Sequence, residues 1–414
     1  MPEIEPVPDQ REGAFHILMI APTSFFADYG CHVRILEEAR YLQSQGHQVA
    51  IATYHKGRDP KGLTIYRTLP IPWRTGYEVG SSRHKIAFDV LLGARAALCM
   101  PQWRPDVIHA HLHEGALIGL ALSKLHRCPL VCDLQGSLTA EMVDHGFVGR
   151  DSRAYRAFYR LEAFINGRAP HILTSTQQTA ELLQREFGCA PERISYIPDC
   201  VNTDVFAPPV RDDTWRAYKA AMGIPLDRTV VVYLGLLADY QGTGHLLQAA
   251  ATLCRQRDDL HFLIAGFPNV DRYQEQARQL GIGERCTFTG RVPYGQAPDV
   301  LGLGDVAVSP KLSSTEGAGK LLNYMAMGLP TVAFDLPVSR EYLGDDGIYA
   351  AARDSDALAQ SLALLLDDDE LRRDLAERLR NRAQRHYAWS TSGERILGIY
   401  RDLCHDHRLK RRSR

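Results

Sequence analysis

The stretch 309–335, SPKLSSTEGAGKLLNYMAMGLPTVAFD, sets the reading of the whole chain. The apolar run GDVAVSP (304–310) ends at Pro310 and reads as a buried strand. Gly317 and Gly319 flank Ala318, an apolar helix starts near Leu321, and Gly328-Leu329-Pro330 stops it before PTVAFD returns as another strand. Strand, turn, helix and strand make a β/α unit, which belongs in a parallel sheet. A glycine-containing turn that feeds a helix presents free backbone N–H groups and a partial positive charge, which suits a phosphate. Lys320 adds a full positive charge in the first turn, and Glu316 is placed to accept hydrogen bonds from sugar hydroxyls. On spacing alone, a tight turn with no ligand is the plain alternative.

Working outward, the same rhythm runs along the chain. HILMIAP (16–22), HQVAIATY (47–54), DVIHAHLH (106–113), PLVCDLQ (129–135), HILTST (171–176) and RISYIP (193–198) read as strands, with helical stretches between them. The segment 198–210 holds Pro198, Pro208 and Pro209 and reads as a linker. TVVVYLGLL (229–237) then opens a second series, continued by HFLIAGF, RCTFTG, DVAVSP and PTVAFD. Two Rossmann-like, doubly wound α/β domains facing a central cleft are expected, over residues 1–207 and 208–385, with a closing helix and basic tail over 386–414. Thr391 and Glu394 fit a capping box, so that helix is expected to begin near Thr391. The acidic run from Asp367 to Glu370 reads as a solvated helix start.

Composition narrows the class. The 414 residues are 45% hydrophobic and 23% charged, which excludes long disorder and fibrous repeats. With 48 basic and 49 acidic side chains the formal net charge is −1, so nothing global points to nucleic acid. The tail HRLKRRSR is basic and reads as a solvated terminus able to touch anionic lipid. No apolar run approaches the ~18 residues of a membrane span, and the acidic, Pro-rich opening lacks a signal-peptide h-region. Nine scattered cysteines, an odd number, read as reduced thiols. A cytoplasmic protein, resting at most on the inner face of the membrane, is the expectation.

These motifs, in this order, resemble the GT-B glycosyltransferases of the family 4 type. EGAG (316–319), the apolar helix and MAMGLPTVA (325–333) are similar to the family's EGFG and EAMACGxPVVA. Gly30 before a helix and GHQVAIAT (46–53) look like the family's opening, and DVIHAH (106–111) looks like its DVVHAH strand. ISYIPDCVNTDVFAP (194–208) resembles VIPNGVDxxxF, and VYLGLLADYQG (232–242) sits where the family has VGRLxxxKG. LIAGFP, FTGRVP and GDVAVSP follow in family order, and WSTSGERILGIYRDL resembles the closing helix that crosses back to the first domain. The resemblance implies a retaining, metal-independent, hexosyltransferase-like enzyme without a cofactor. Such an enzyme moves a sugar from a nucleotide-sugar donor to a glycan, lipid or small-molecule acceptor.

The same resemblance assigns residues. Glu316 and Gln135 take catalytic places beside the donor sugar. Gly30, Gly235, Gln241, Arg291, Gly317, Ala318, Gly319, Lys320, Leu321 and Asn323 take donor-binding places. His109, His111, Trp73 and Arg74 are acceptor-side candidates. Four departures stand out. The family's phosphate-binding Arg and Lys fall on Leu236 and Gln241, its ribose-binding Glu falls on Asn323, and its first-domain His falls on Gln135. Lys320, with Lys311 as a second candidate, is expected to compensate for the missing cations. A non-catalytic partner subunit with a degenerate donor site is the competing expectation, and a binding protein without chemistry is a third.

Other residues carry weaker signals. His109, His111 and His113 alternate along one strand end and so share a face, a pattern that suits zinc. The match to DVVHAH favours cleft-lining or structural roles, and no metal is expected. The stretches 71–100 and AYRAFYRLEAF (154–164) mix aromatic, apolar and basic residues. Each reads as a packed helix or as a surface that rests on a membrane.

Overall fold

The computed structural model describes residues 13–28, 30–70, 85–144, 147–313 and 317–412. The first lobe carries strands β1 (His16–Ala21), β2 (Gln48–Thr53), β3 (Thr64–Arg67), β4 (Val107–His111), β5 (Leu130–Asp133), β6 (Ile172–Thr174) and β7 (Ile194–Tyr196). Its helices are α1 (Gly30–Ser44), α2 (Lys85–Trp103), α3 (Leu112–His126), α4 (Leu138–Asp144), α5 (Arg153–Arg168) and α6 (Gln177–Phe187). The strands form one parallel sheet in the order β3-β2-β1-β4-β5-β6-β7. Ile17 to Ala21 have no exposed surface, because helices cover both faces; an unbroken apolar run is what such a strand requires.

The second lobe carries β8 (Thr229–Leu234), β9 (Leu260–Ala265), β10 (Cys286–Gly290), β11 (Val306–Ser309), β12 (Thr331–Phe334) and β13 (Ile348–Ala350). They form a second parallel sheet in the order β10-β9-β8-β11-β12-β13. Around it lie α7 (Asp213–Ala221), α8 (Thr243–Cys254), α9 (Val270–Gln279), α10 (Ala297–Leu301), α11 (Gly319–Ala326), α12 (Pro337–Leu343), α13 (Ser355–Asp367) and α14 (Asp369–His386). The chain closes with α15 (Trp389–Arg412), whose Ile396, Leu397 and Tyr400 pack with Ile35 and Leu36 of α1 beneath the first sheet.

Most expected elements form where the apolar runs placed them, and three details differ. The edge strands β3 and β13 were not among the expected strands, because at four and three residues, mostly half-buried, they are too short to show a pattern. Helix α15 begins at Trp389, so Thr391 sits inside the first turn; the indole, 6% exposed, anchors the start instead of a polar cap. The proline-rich segment after β7 is pinned to the core: Val201 pairs with Ala388, and Phe206 is fully buried. The acidic run behaves as expected, with Asp368 capping α14 by accepting from Leu371 N. All nine cysteines are free thiols. Among the described residues no helix is long and apolar enough to cross a membrane.

In each sheet the strand order reverses beside its first strand, at β1/β4 and at β8/β11. Loops diverge there and leave a crevice at the carboxyl ends of the strands, where open α/β sheets bind ligands.

Candidate active site

One cleft of about 1110 Å³ lies between the lobes. Its walls include the segments that follow β1, β2, β4, β5, β6 and β7 on one side, and those that follow β8, β9, β10, β11 and β13 on the other.

The second-lobe wall is built by close backbone approach. Leu321, Leu322, Tyr324 and Met325 bury one side of α11 in the core, and Tyr324 Oη accepts from Leu234 N at 2.8 Å. That bond fixes the start of α11 against the end of β8. Lys320, in the first turn, then reaches over Gly235, where a Cβ would lie 2.9 Å from its Nζ. The ammonium donates to Gln241 Oε1 at 2.7 Å and Tyr233 Oη at 3.2 Å, and lies 4.5 Å from the Tyr233 ring centroid. Gln241 is held there by Gly242, which has φ +74° and whose Cβ would fall 1.8 Å from Pro310 O. Glycine alone lets the loop after β8 meet the loop after β11. Lys311, 3% exposed, donates to Gly317 O at 2.9 Å. Two ammonium groups therefore converge near the Gly317–Gly319 turn, one of them seated beside Gln241.

The first-lobe wall rests on buried charge. Arg34 of α1 donates to Asp133 through Nε (2.9 Å) and Nη2 (3.2 Å), to Asp199 through Nη1 (2.9 Å), and to Ile197 O. Burial works to raise the Asp133 carboxyl, but the Arg34 guanidinium, with His111, holds it below the ordinary range. Parallel register sets His111 directly opposite Asp133, and His111 Nδ1 bonds Asp133 Oδ2 at 3.1 Å. His109 Nδ1 bonds Tyr400 Oη at 2.5 Å and lies 3.0 Å from Glu38 Oε1. Neither Glu38 oxygen has a hydrogen-bond partner; burial, then the Asp133 charge, pushes its pKa up to about 8. Glu38, His109, His111 and Asp133 bring ligand-type atoms within 4.8 Å of one another. Arg34 already occupies Asp133, and the His109 and His111 rings stack at 4.5 Å, so their lone pairs do not converge on one point.

Asp133 also accepts from Gln135 Nε2 at 3.1 Å, which leaves the amide oxygen of Gln135 for the cleft. Gln135 has φ +61°, an uncommon left-handed conformation for a side-chain-bearing residue. Asp199 completes this wall. Its Oδ2 accepts from Tyr342 Oη at 3.4 Å and would lie 2.4 Å from a Cβ at Gly317. A first-lobe carboxylate thus stands directly against the second-lobe turn. Farther along, Lys85 donates to Glu114 at 2.5 Å and Tyr54 Oη to Asp89 at 2.5 Å.

Of the residues singled out in the sequence, Gly30, Gln135, Gly235, Gln241, Gly317, Ala318, Gly319, Lys320 and Asn323 line the cleft. Leu321 does not: it is fully buried in the second-lobe core. His109 and His111 are corrected too. Both have no exposed surface and lie under the cleft floor, since inward positions of a doubly covered strand point into packed layers. His113 does not share their strand face but lies in the first turn of the helix after it, and it reaches the cleft. Arg291 stacks on Phe267 at 4.8 Å and lies 3.6 Å from Asp28, which also accepts from Tyr294 N; it belongs to a contact between lobes. Glu341 likewise bridges them, accepting from Gln177 N. His245 bonds Ser355 and does not line the cleft. Glu316, Trp73 and Arg74 lie outside the described residues. Arg34, Asp133 and Asp199 were not singled out in the sequence, although Asp199 lies in the 194–208 motif; the register of β4 with β5 reveals Asp133, and the packing of α1 and the approach of Gly317 reveal Arg34 and Asp199.

Comparison with known proteins agrees in both lobes. The model of the glycosyl transferase 4-like domain matches residues 29–200, and that of the glycosyl transferases group 1 matches 216–382. The chain is 27% identical to the D-inositol 3-phosphate glycosyltransferase of Corynebacterium diphtheriae, over 91% of this chain and 92% of that one. It is 25% identical to the phosphatidyl-myo-inositol mannosyltransferase of Mycolicibacterium smegmatis, over 92% of each. Among solved structures, sucrose-phosphate synthase from Thermosynechococcus elongatus superposes with a TM-score of 0.78 at 18% identity, covering 94% of this chain and 98% of that one. Anabaena HepE in complex with UDP-glucose gives 0.73 at 16% identity, covering 93% and 99%. The two domain models span both lobes, the fold is shared from end to end, and the chain belongs to the GT-B glycosyltransferases of the family 4 type.

Proposed function

We propose that this glycosyltransferase moves a sugar from a nucleotide-sugar donor to a glycan, lipid or small-molecule acceptor, with retention at the anomeric carbon and without a metal. The observation that carries the reading is the position of Lys320, whose ammonium sits over Gly235 and beside Gln241 at the glycine turn. The cation missing from the loop after β8 is supplied by α11. In this reading Lys320 and the amides of the 317–319 turn hold the donor diphosphate, with Gly30 admitting it from the other side. Asn323 faces the ribose, Glu316 contacts the sugar, and Gln135 orients a sugar hydroxyl through its free amide oxygen. As the bond from the anomeric carbon to phosphate oxygen breaks, the acceptor oxygen bonds the same face and its proton passes to the leaving phosphate. Negative charge grows on the diphosphate, so the cations act mainly in the transition state. The functional division follows residues 1–207 for the acceptor side, 208–385 for the donor side, and 386–414 for the returning helix.

Inositol-bearing acceptors are the first to assay, because two relatives are named for them. Peripheral contact with a membrane belongs to the same reading. Neutral Leu236 and Gln241 favour a second one, a non-catalytic partner subunit. A thermal-shift series with UDP, GDP, ADP and dTDP, and their sugars, decides. Ligand at 100 times its Kd adds about 2.7 kcal/mol, and Lys320→Ala and Glu316→Ala should each diminish it. Binding followed by slow hydrolysis of the sugar marks the enzyme. Binding without hydrolysis or transfer favours the partner, and no binding at all sinks the donor site.

A further inference from the structure

The described parts of the two stretches whose composition suggested a surface contact, 85–100 and 154–164, lie on one face of the first lobe. Helices α2, α3 and α5 pack side by side on the same side of the sheet, as the shared core of Phe88, Leu92, Ala116 and Ile165 shows. On the outside of α2, Ile86, Val90, Ala94 and Leu98 recur every four residues and make one stripe. Ile86, Val90 and Leu98 are 68%, 69% and 61% exposed. A soluble helix normally turns polar residues outward, and this one turns apolar ones. On the adjacent α3, Leu117 and Leu125 are exposed as well.

Beside it, α5 aligns Arg153, Arg156, Arg160 and Arg168 along its outer side, with Phe164 between the last two. Arg168 stacks on Phe164 at 4.0 Å. No ion pair to Arg153, Arg156 or Arg160 forms among the described residues. The carboxylates of these three helices are Asp89, Glu114 and Glu162. Asp89 is bonded by Tyr54, Glu114 is paired with Lys85, and Glu162 is fully buried against Thr139. The three helices themselves therefore present an apolar and cationic face, their own carboxylates being bonded or buried, with Asp151 before α5 and Glu186 of α6 at its edge. The neighbouring α6 is the contrast: it exposes Glu181, Glu186 and Arg185 together.

The face also reaches the cleft. Lys85 starts α2 and lines the cleft, and Phe147, just beyond α4, lines it while 55% exposed.

We infer that the α2–α3–α5 face docks on an anionic lipid bilayer, with the apolar stripe in the headgroup–acyl boundary and the α5 arginines on lipid phosphates. Charge complementarity selects this occupant, because an apolar patch meant for a second copy of the chain would bring two arginine rows together. The inference extends the membrane part of the proposed function and is independent of the donor.

The test is co-sedimentation of the full chain with vesicles of phosphatidylcholine alone and with 30% phosphatidylglycerol. Binding should require phosphatidylglycerol and weaken as salt rises. Arg153→Ser/Arg156→Ser/Arg160→Ser and, separately, Val90→Asp should each lower the partition coefficient at least tenfold. Arg255→Ser/Arg373→Ser/Arg385→Ser, which removes the same charge from the second lobe, should leave it within twofold. Melting temperature and nucleotide binding are read in parallel, so that failure of the donor reading is seen separately. Equal binding to both vesicles, or equal loss in the two triple variants, overturns the inference. So does a large fall in melting temperature for Val90→Asp, which would assign the stripe to internal packing. A dimer dissociated by the same face variants would assign the face to a second copy and overturn the inference as well.

Discussion

The two walls of the cleft are made differently. The second-lobe wall is backbone: Gly235, Gly242 and Gly317 let loops touch at distances no side chain would allow, and a lysine lies on top. The first-lobe wall is a buried electrostatic assembly in which one guanidinium serves two carboxylates over a layer of stacked histidines. A backbone-built wall gives the same geometry to any nucleotide, since N–H groups and a helix end recognise phosphate without regard to the base. A charge-built wall is specific to its members, because each ion left without its partner costs several kcal/mol once buried.

That difference can be broken most severely at Arg34. Arg34→Leu leaves Asp133 and Asp199 without their counter-charge, and breaking a buried pair costs about 3–5 kcal/mol. Urea unfolding should show this loss in the absence of any ligand, while Lys320→Ala, on the other wall, should leave unliganded stability within about 1 kcal/mol.

Glu38→Gln tests the same wall through pH. The carboxyl ionises near 4.5 when unfolded and near 8 when folded, so the folded state binds the extra proton between those values. Stability therefore falls as pH rises from about 4.5 to 8. Glutamine should remove that slope and leave the variant roughly 2–4 kcal/mol the more stable at pH 8. The buried His109, whose pKa burial pushes well below its ordinary value, acts oppositely, drawing stability down as pH drops below about 6.5. Denaturation midpoints at pH 5, 6.5 and 8 give both signs; an unchanged slope in the glutamine variant would count against a Glu38 carboxyl raised by burial.

On the second wall, Gln241→Lys restores the cation of the family pattern but sets it against Lys320. Two like charges about 4 Å apart repel by about 1–4 kcal/mol at intermediate dielectric. The variant should melt lower, and a nucleoside diphosphate should recover more stability in it than in the parent. Were it to melt like the parent, Lys320 would not be the relocated cation.

The smallest effect is expected at Gly317→Ala. The new methyl meets the Asp199 carboxylate, and the turn must shift by a few tenths of an ångström or more. Nucleotide affinity should fall about tenfold, or 1.4 kcal/mol, with Asp199→Gly restoring part of it if the contact between walls is the cause.

Legibility followed the same line. The glycine turn, α11 and the buried strands could be read because each is a local pattern: an apolar run for a strand covered on both faces, and a glycine where a strand feeds a helix. The edge strands β3 and β13 could not, since half-buried positions impose no hydrophobic period. His109 and His111 looked like cleft residues from their strand, and are buried because α15 returns to place Tyr400 against His109 while Asp133 of the next strand takes His111. Asp199 looked like part of a chain-linking segment until Arg34 and Gly317 closed around it.

The sequence by itself determined the two-lobed parallel architecture, the family, and the turn at 317–319, because periodicity and backbone permissiveness are properties of neighbouring residues. Only the tertiary structure decided where the cations and carboxylates meet. Lys320 and Gln241 are 79 positions apart, Arg34 and Asp133 are 99, and Arg34 and Asp199 are 165. Coulombic and hydrogen-bond energies depend on distance in space, and that distance is set by strand order and by the packing of α1 and α11.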